Sequence, residues 1–139
     1  MKWRFRLILV FFIFLSGFSI AGNLDSLLNE LSKAKEKEIA PLCNQIAREY
    51  LLREPPKSLD YIDRAIKSSS KYRQKKEEST AYFYKGFLYK KTGKFSQARY
   101  FLFKVTKLFP VTKDTILVSK AYNALAQVEQ AMSHYDKAI

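Results

Sequence analysis

The chain has 139 residues, enough for one modest domain with a core of its own. Apolar residues make up 47% of it, which excludes a disordered polyelectrolyte, and four glycines and four prolines are too few for many short strands and turns. The formal net charge of +12 indicates an anionic partner, and leaves open whether that is nucleic acid, an acidic protein or an anionic surface.

The first 21 residues have the pattern of a secretory signal peptide. Three basic residues precede an unbroken apolar run over residues 7–15, and Ser19 and Ala21 place small side chains at the −3 and −1 positions of a cleavage site after Ala21. A membrane-spanning helix would need roughly 20 apolar residues, more than this segment offers. We therefore expect an exported protein, periplasmic or extracellular, that stays on the membrane only if the segment is not cleaved.

The cations that follow this segment do not form one cluster in the sequence. They lie near predicted helix ends and turns, where a solvated face is a simpler interpretation than a phosphate-binding surface. We therefore expect no nucleic-acid partner. The residues concerned are Lys71, Arg73, Lys75, Lys76, Lys90, Lys91 and Lys94.

Apolar residues recur at helical spacing in almost every segment after residue 22. Short breaks separate these segments. The stretch Glu54–Lys57 contains two prolines that suit the start of a helix, and Gly93 suits a tight left-handed turn between two others. Pro110 is expected to end the helix that follows this turn, and Asp114 and Thr115 are candidate caps for the last one.

The helical segments repeat at a period of about 40 residues. One equivalent position carries a small residue in each copy, and the position four residues earlier carries a larger one or the single cysteine. Two antiparallel helices approach closely only where side chains are small, so the small residues mark helix crossings. Cys43 is then a buried thiol. The two sets are Ala47, Gly86 and Ala126, and Cys43, Tyr82 and Tyr122.

The copy at residues 79–112 places large, small and aromatic side chains in a fixed order, at Tyr82, Gly86, Tyr89, Gly93, Phe95, Ala98, Leu102 and Pro110. In this order it resembles the tetratricopeptide repeat, a helix–turn–helix unit of about 34 residues, although Lys85 and Val105 depart from the pattern. The copy at residues 41–73 is looser, and the copy at 119–139 stops soon after its second helix begins. The resemblance implies an all-α fold over residues 22–139, a right-handed superhelix of antiparallel helix pairs (a TPR-like α-solenoid).

The segment Leu24–Leu28, together with the repeats, resembles the start of the exported N-terminal sensor region of bacterial two-component histidine kinases. The likeness implies no kinase activity, because no ATP-binding motif or phosphoacceptor region follows. It offers a second hypothesis, a truncated extracytoplasmic sensor region of a repeat-containing histidine kinase or transcriptional regulator. The last helix is expected to expose Tyr122, Leu125 and Val128 in part, which favours self-association through the uncapped C-terminal repeat.

The resemblance also implies a concave groove lined by the first helix of each pair, where such proteins bind their partners. Aromatic rings flanked by cations and amides suit an extended peptide with apolar and acidic groups, so a protein or peptide is the expected partner. The alternative is that Phe83 and Phe87 pack against a neighbouring repeat. The groove residues carried over in this way are Asn44, Arg48, Thr80, Phe83, Phe87, Lys90, Lys120, Asn123 and Gln127.

The chain has one histidine and one cysteine, His134 and Cys43, far apart in the sequence. Acid–base catalysis and metal binding need several such side chains in one place, and no glycine-rich phosphate loop or nucleophile elbow is present. We therefore expect a non-catalytic protein without a cofactor or a metal, and we interpret His134 as a surface residue of a turn. The leading hypothesis is an exported module that binds other proteins.

Overall fold

The computed structural model describes residues 22–138, in which α-helices follow one another through short turns and no strand occurs. The fold is therefore all-α, as expected. The predicted signal peptide, residues 1–21, lies outside the described residues. The elements are α1 (residues 22–33), a 3-10 turn (Glu36–Glu38), α2 (Ile39–Tyr50), α3 (Pro55–Lys71), α4 (Lys75–Lys91), α5 (Phe95–Thr112) and α6 (Thr115–Ala138).

The turns between the helices follow from local chemistry. Two prolines open α3, where the missing N–H groups have no intrahelical partner to lose. Gly93 adopts a positive φ of 74° between α4 and α5, a conformation that a side chain would strain. Asp114 caps α6, since its Oδ1 accepts the backbone N–H of Leu117 at 2.9 Å. These three predictions are confirmed.

The end of α5 differs from the expectation that Pro110 closes the helix. Pro110 lies inside the last turn, and the helix continues to Thr112 before Lys113 turns left-handed at a φ of 54°. A proline so near the end removes a single helical hydrogen bond, and the N–H of Lys113 still bonds to the carbonyl of Phe109 at 2.8 Å. The predicted end of this helix was therefore wrong by a fraction of a turn.

Consecutive helices pack against each other from α2 to α6, and α4 also contacts α2 and α6. Two clusters of buried apolar residues form the core, the first between α2, α3 and α4 and the second between α5 and α6, with Tyr82, Phe83 and Tyr89 of α4 packed against it. The short connections make neighbouring helices antiparallel. The first cluster is Cys43, Ala47, Ile62, Ala65, Ala81 and Leu88, and the second is Ala98, Leu102, Val105, Ala121, Ala124 and Val128.

The predicted buried thiol is confirmed. Cys43 is fully buried and free of any disulfide, and burial raises the pKa of its thiol. Beside it, Ala47 meets α3, where the hydroxyl of Ser58 donates to the Ala47 carbonyl at 2.7 Å. None of the helices in residues 22–138 has both the length and the apolar character that crossing a bilayer requires.

Helices α4 and α5 cross closely at Gly86. A Cβ atom placed on Gly86 would stand 2.7 Å from Cγ of Leu102 and 3.2 Å from the Leu102 backbone nitrogen. The 2.7 Å distance is shorter than carbon–carbon packing allows and the 3.2 Å distance is tight, so only glycine fits while Leu102 keeps its place. This is the physical basis of the small-residue position that the repeat pattern indicated.

The last helix corrects three expectations. α6 runs without a break to Ala138, so His134 is an exposed helical residue and neither the predicted turn nor a second helix begins there. Val128 was expected to be partly exposed, but it is fully buried because it lies on the face that meets α4 and α5. Leu125 packs against the same cluster and is partly exposed, and Tyr122 is exposed, both as expected. Ala126 is also exposed, unlike Ala47 and Gly86, because no described helix covers it.

A buried carboxylate ties α3 to α4. Oε1 of Glu78 accepts hydrogen bonds from the hydroxyls of Ser70 (2.8 Å) and Tyr82 (3.0 Å), and Oε2 accepts one from Nζ of Lys75 (2.7 Å). Burial alone would raise the pKa of Glu78, but these three donors outweigh it and the pKa is lowered. The charged form is therefore the stabilising one.

Replacing Gly86 with alanine should destabilise the chain, although alanine is the better helix former. Overpacking against Leu102 costs about 1–3 kcal/mol, which exceeds the gain in helix propensity of about 1 kcal/mol. Urea unfolding followed by circular dichroism measures the difference in the free energy of unfolding. Leu102→Ala removes the atoms in the way, so Gly86→Ala combined with Leu102→Ala should cost less than the two single changes added together. Strict additivity would contradict the close crossing.

Replacing Glu78 with glutamine should lower the free energy of unfolding at neutral pH by about 2 kcal/mol, because the charge-assisted hydrogen bonds are lost. A carboxylate whose folded pKa is depressed contributes stability above its unfolded pKa of about 4.3, and that contribution is lost as the pH falls through the folded value. The difference between the wild type and Glu78→Gln should therefore shrink below about pH 4. Asp60→Asn, at an exposed site on α3, is the control and should show little difference at any pH. A constant gap between wild type and Glu78→Gln across the titration would rule out this role.

Candidate partner-binding groove

A groove of about 210 Å³ lies between α2 and α4 and contains three of the residues predicted from the sequence. Asn44 and Arg48 enter it from α2, and Thr80 enters it from α4. The residues that line it are Pro41, Asn44, Gln45, Arg48, Glu77, Thr80 and Tyr84. Residues of α2 and α4 therefore line one groove.

Asn44 forms the floor of the groove. Its Nδ2 donates to the backbone carbonyl of Glu77 at 3.0 Å and to Oε2 of the same residue at 2.9 Å. Asn44 is only 4% exposed, so it holds α2 to α4 rather than standing free for a partner. Its Oδ1 is buried and has no hydrogen-bond partner among the described residues.

The rim of this groove is charged and accessible. The guanidinium of Arg48 is largely exposed and lies 3.6 Å from Oε1 of Glu49, a surface ion pair that contributes about 0–1 kcal/mol and is easily exchanged. Across the groove, burial raises the pKa of Tyr84, with Arg48 acting in the opposite direction and Glu77 adding to the rise. Tyr84 therefore keeps its proton and can donate or accept a hydrogen bond.

A second polar bridge joins α4 to α6. Nζ of Lys90 donates to Oε1 of Gln127 at 2.5 Å, so two residues predicted from the repeat register lie in direct contact. The ring of Phe87 is half-buried beside them, with Nζ of Lys90 5.5 Å and Nζ of Lys91 5.6 Å from its centre. Burial, together with the nearby Lys91, lowers the pKa of Lys90.

The other predicted residues lie in different surroundings. Phe83 packs against the second core cluster, with its ring 6.1 Å from that of Tyr84, as the packing alternative foresaw. The hydroxyl of Thr80 bonds within its own helix, to the Lys76 carbonyl at 3.1 Å. Lys120 and Asn123 are exposed on α6. The structure thus brings Asn44, Arg48 and Thr80 together in the groove between α2 and α4, and it brings Phe87, Lys90 and Gln127 together at the contact between α4 and α6.

Sequence reasoning missed Glu77, Tyr84 and Gln45. Glu77 and Tyr84 stand one turn before and one turn after Thr80 on α4, so helical spacing alone placed them on the predicted surface. The repeat register does not include them, because it assigns groove residues at fixed positions only.

Two further grooves lie on the other side of α2 and α3 and contain none of the predicted residues. One, of about 290 Å³, includes Arg64, Lys67 and Lys71 of α3, and the other, of about 360 Å³, lies between Tyr50 and Lys57. Within residues 22–138, no three histidine, cysteine or acidic side chains come together as a metal site would require.

No family model, curated relative or solved structure matches the chain. The functional proposals therefore depend on the residues and their geometry.

Replacing Asn44 with aspartate tests its role as the floor of the groove. The change would place a second carboxylate at the position where Nδ2 now lies 2.9 Å from Oε2 of Glu77, with a loss of about 3 kcal/mol or more in the free energy of unfolding at pH 7. Each carboxyl raises the pKa of the other, so the loss should become smaller as the pH falls and one of them takes up a proton. Asn44→Ala removes the same hydrogen bonds without adding charge, and its deficit should vary little with pH. Parallel pH profiles for the two variants would contradict the assignment.

Proposed function

We propose that this chain is a non-catalytic helical-repeat protein of the tetratricopeptide type, which binds an extended segment of a partner protein in the groove formed by α2, α4 and α6. The observation that carries the proposal is the pair of polar bridges, Asn44–Glu77 and Lys90–Gln127. They join alternate helices, and three of their four residues, Asn44, Lys90 and Gln127, are named by the repeat register. Antiparallel hairpins in which alternate helices also touch are consistent with a solenoid.

The chemistry of the groove favours a peptide that carries acidic and apolar groups. Arg48 offers an exposed guanidinium, which can hold a carboxylate with two parallel hydrogen bonds. Phe87 offers a half-buried ring for an apolar side chain, and Lys90 and Lys91 beside it add positive charge. Apolar burial would supply affinity, and the cations would orient the bound segment.

We also propose that the partner is met outside the cytoplasm, because residues 1–21 carry the sequence pattern of a signal peptide. A basic protein in the cell envelope meets many acidic polypeptides, which fits the groove's cations.

Selection of random linear peptides against the immobilised chain tests the groove. The selected peptides should be rich in acidic and apolar residues. The double variant Arg48→Ala with Phe87→Ala should bind them about tenfold more weakly or worse, since both anchors of the proposed site are lost. Fluorescence anisotropy of a labelled peptide gives the dissociation constants.

The matched control is Arg99→Ala with Phe103→Ala. It removes the same two residue types from α5, away from the groove, and should leave peptide affinity within about twofold of the wild type, because neither residue belongs to the proposed site. Circular dichroism checks that both double variants keep their helices. Equal affinity of the groove variant and the wild type would reject the proposal.

A further inference from the structure

The outer face of α5 combines exposed apolar side chains with cations. We define the outer face of α5 by six residues that recur at helical spacing: Arg99, Tyr100, Phe103, Lys104, Lys107 and Val111. Tyr100, Phe103 and Val111 are 57%, 53% and 68% exposed. Eleven steps from Tyr100 to Val111 span about 17 Å of helix, so the face is a continuous stripe.

This stripe belongs to the most positively charged part of the molecule. Residues 79–113 contain no aspartate or glutamate, and their cations are Lys85, Lys90, Lys91, Lys94, Arg99, Lys104, Lys107 and Lys113. Within the described part of the chain, Lys85 pairs with Asp63 at 2.6 Å and Arg99 with Glu129 at 3.5 Å, and no ion pair is formed by Lys104 or Lys107.

Lys104 and Lys107 are instead held against aromatic rings. Nζ of Lys104 lies 4.7 Å from the ring centre of Tyr100 and 4.8 Å from that of Tyr82, and Nζ of Lys107 lies 5.0 Å from the ring centre of Phe103. Cation–π contacts of this kind keep the ammonium groups beside the exposed rings. The exposed rings of Tyr100 and Phe103 therefore each have an ammonium group beside them. If a partner buries these rings, the ammonium groups can contact an anion of that partner.

We propose that the outer face of α5 binds the surface of an anionic lipid bilayer. Phe103, Tyr100 and Val111 enter the headgroup region, while Lys104 and Lys107 contact lipid phosphates. Interfacial helices combine aromatic and aliphatic side chains with lysines and arginines in this way, because the apolar groups leave water and the cations extend towards the headgroups.

Charge argues against a second copy of the chain as the occupant. Two outer faces of α5 brought together would oppose Lys104 and Lys107 to the same residues of the other copy, with no carboxylate on either stripe. Like charges at close range are destabilising. An anionic surface has the complementary charge.

Shape argues for a bilayer rather than an acidic polypeptide. The three grooves described above are lined by α2, α3, α4 and the 3-10 turn, and the outer face of α5 contributes no residue to them. A convex helix face with separate protruding rings offers no slot for a peptide, whereas it can enter a soft planar interface.

A tryptophan reporter at position 103 tests this proposal in the full chain. Trp3→Phe removes the only native tryptophan, and Phe103→Trp adds the reporter. Vesicles of phosphatidylcholine with phosphatidylglycerol should shift its emission to shorter wavelength, and molar salt should reverse the shift, since the Debye length falls to about 3 Å. Pure phosphatidylcholine vesicles should produce little shift.

Trp3→Phe with Leu52→Trp provides the control reporter. Leu52 is exposed at the turn after α2, away from α5, and its emission should not change even if residues 1–21 tether the chain to vesicles. Residues 1–21 are identical in the two reporter variants. A difference in emission shift between position 103 and position 52 therefore reports which face of the bound chain meets the vesicle.

The charge requirement is tested by adding Lys104→Gln with Lys107→Gln to the position-103 reporter. A lysine near an anionic bilayer contributes a factor of about five in affinity, so the pair should weaken binding about thirty-fold. Lys33→Gln with Lys76→Gln changes the net charge equally at exposed sites on α1 and α4, and should weaken binding by less than about threefold.

Three results would overturn the proposal. The first is no shift at position 103 with anionic vesicles, and the second is an equal shift with zwitterionic ones. The third is a shift produced by polyglutamate, or by raising the protein concentration alone, without any shift on vesicles. That result would assign the face to an acidic polypeptide or to a second copy.

Discussion

The contact between Gly86 and Leu102 holds the rest of the molecule in place. Leu102 packs against the backbone of α4 at the one residue that has no side chain, and this lets α5 approach more closely than any other residue type would permit. α4 is the helix that also contacts α2, α3 and α6, so its position fixes both core clusters. The positions of the groove between α2 and α4 and of the outer face of α5 therefore depend on this one close crossing.

Much of this arrangement could be predicted from residue types and spacing. Gly86 and Cys43 are buried where the repeat pattern placed them, and Gly93 and Asp114 end and begin helices as their chemistry dictates. Such residues can be interpreted from the sequence because the role of each depends on its own turn of helix or on one neighbouring helix. A glycine at a crossing or a capping carboxylate leaves few alternatives.

The failures concern features that depend on what surrounds a helix. Val128 is buried rather than exposed because it lies on the face of α6 that packs against α4 and α5. When the apolar stripe of a helix is wide, the sequence of that helix alone does not show which part of the stripe faces the core. Pro110 is tolerated because it falls within the last turn, and no turn forms near His134 because nothing in that segment breaks the helix. Asn44 was assigned to a partner, yet its side chain is used by Glu77, a pairing between helices that spacing along one helix does not show.

The two polar bridges that join α4 to α2 and to α6 differ in their surroundings, and this difference has a mechanical consequence. The Asn44–Glu77 bridge is buried, so breaking it exposes unpaired polar groups and resists any change in the angle between α2 and α4. The Lys90–Gln127 bridge is exposed, and water can replace it at little cost. The first bridge thus restrains the angle between α2 and α4, whereas the second adds little restraint between α4 and α6, where apolar packing holds the two helices together.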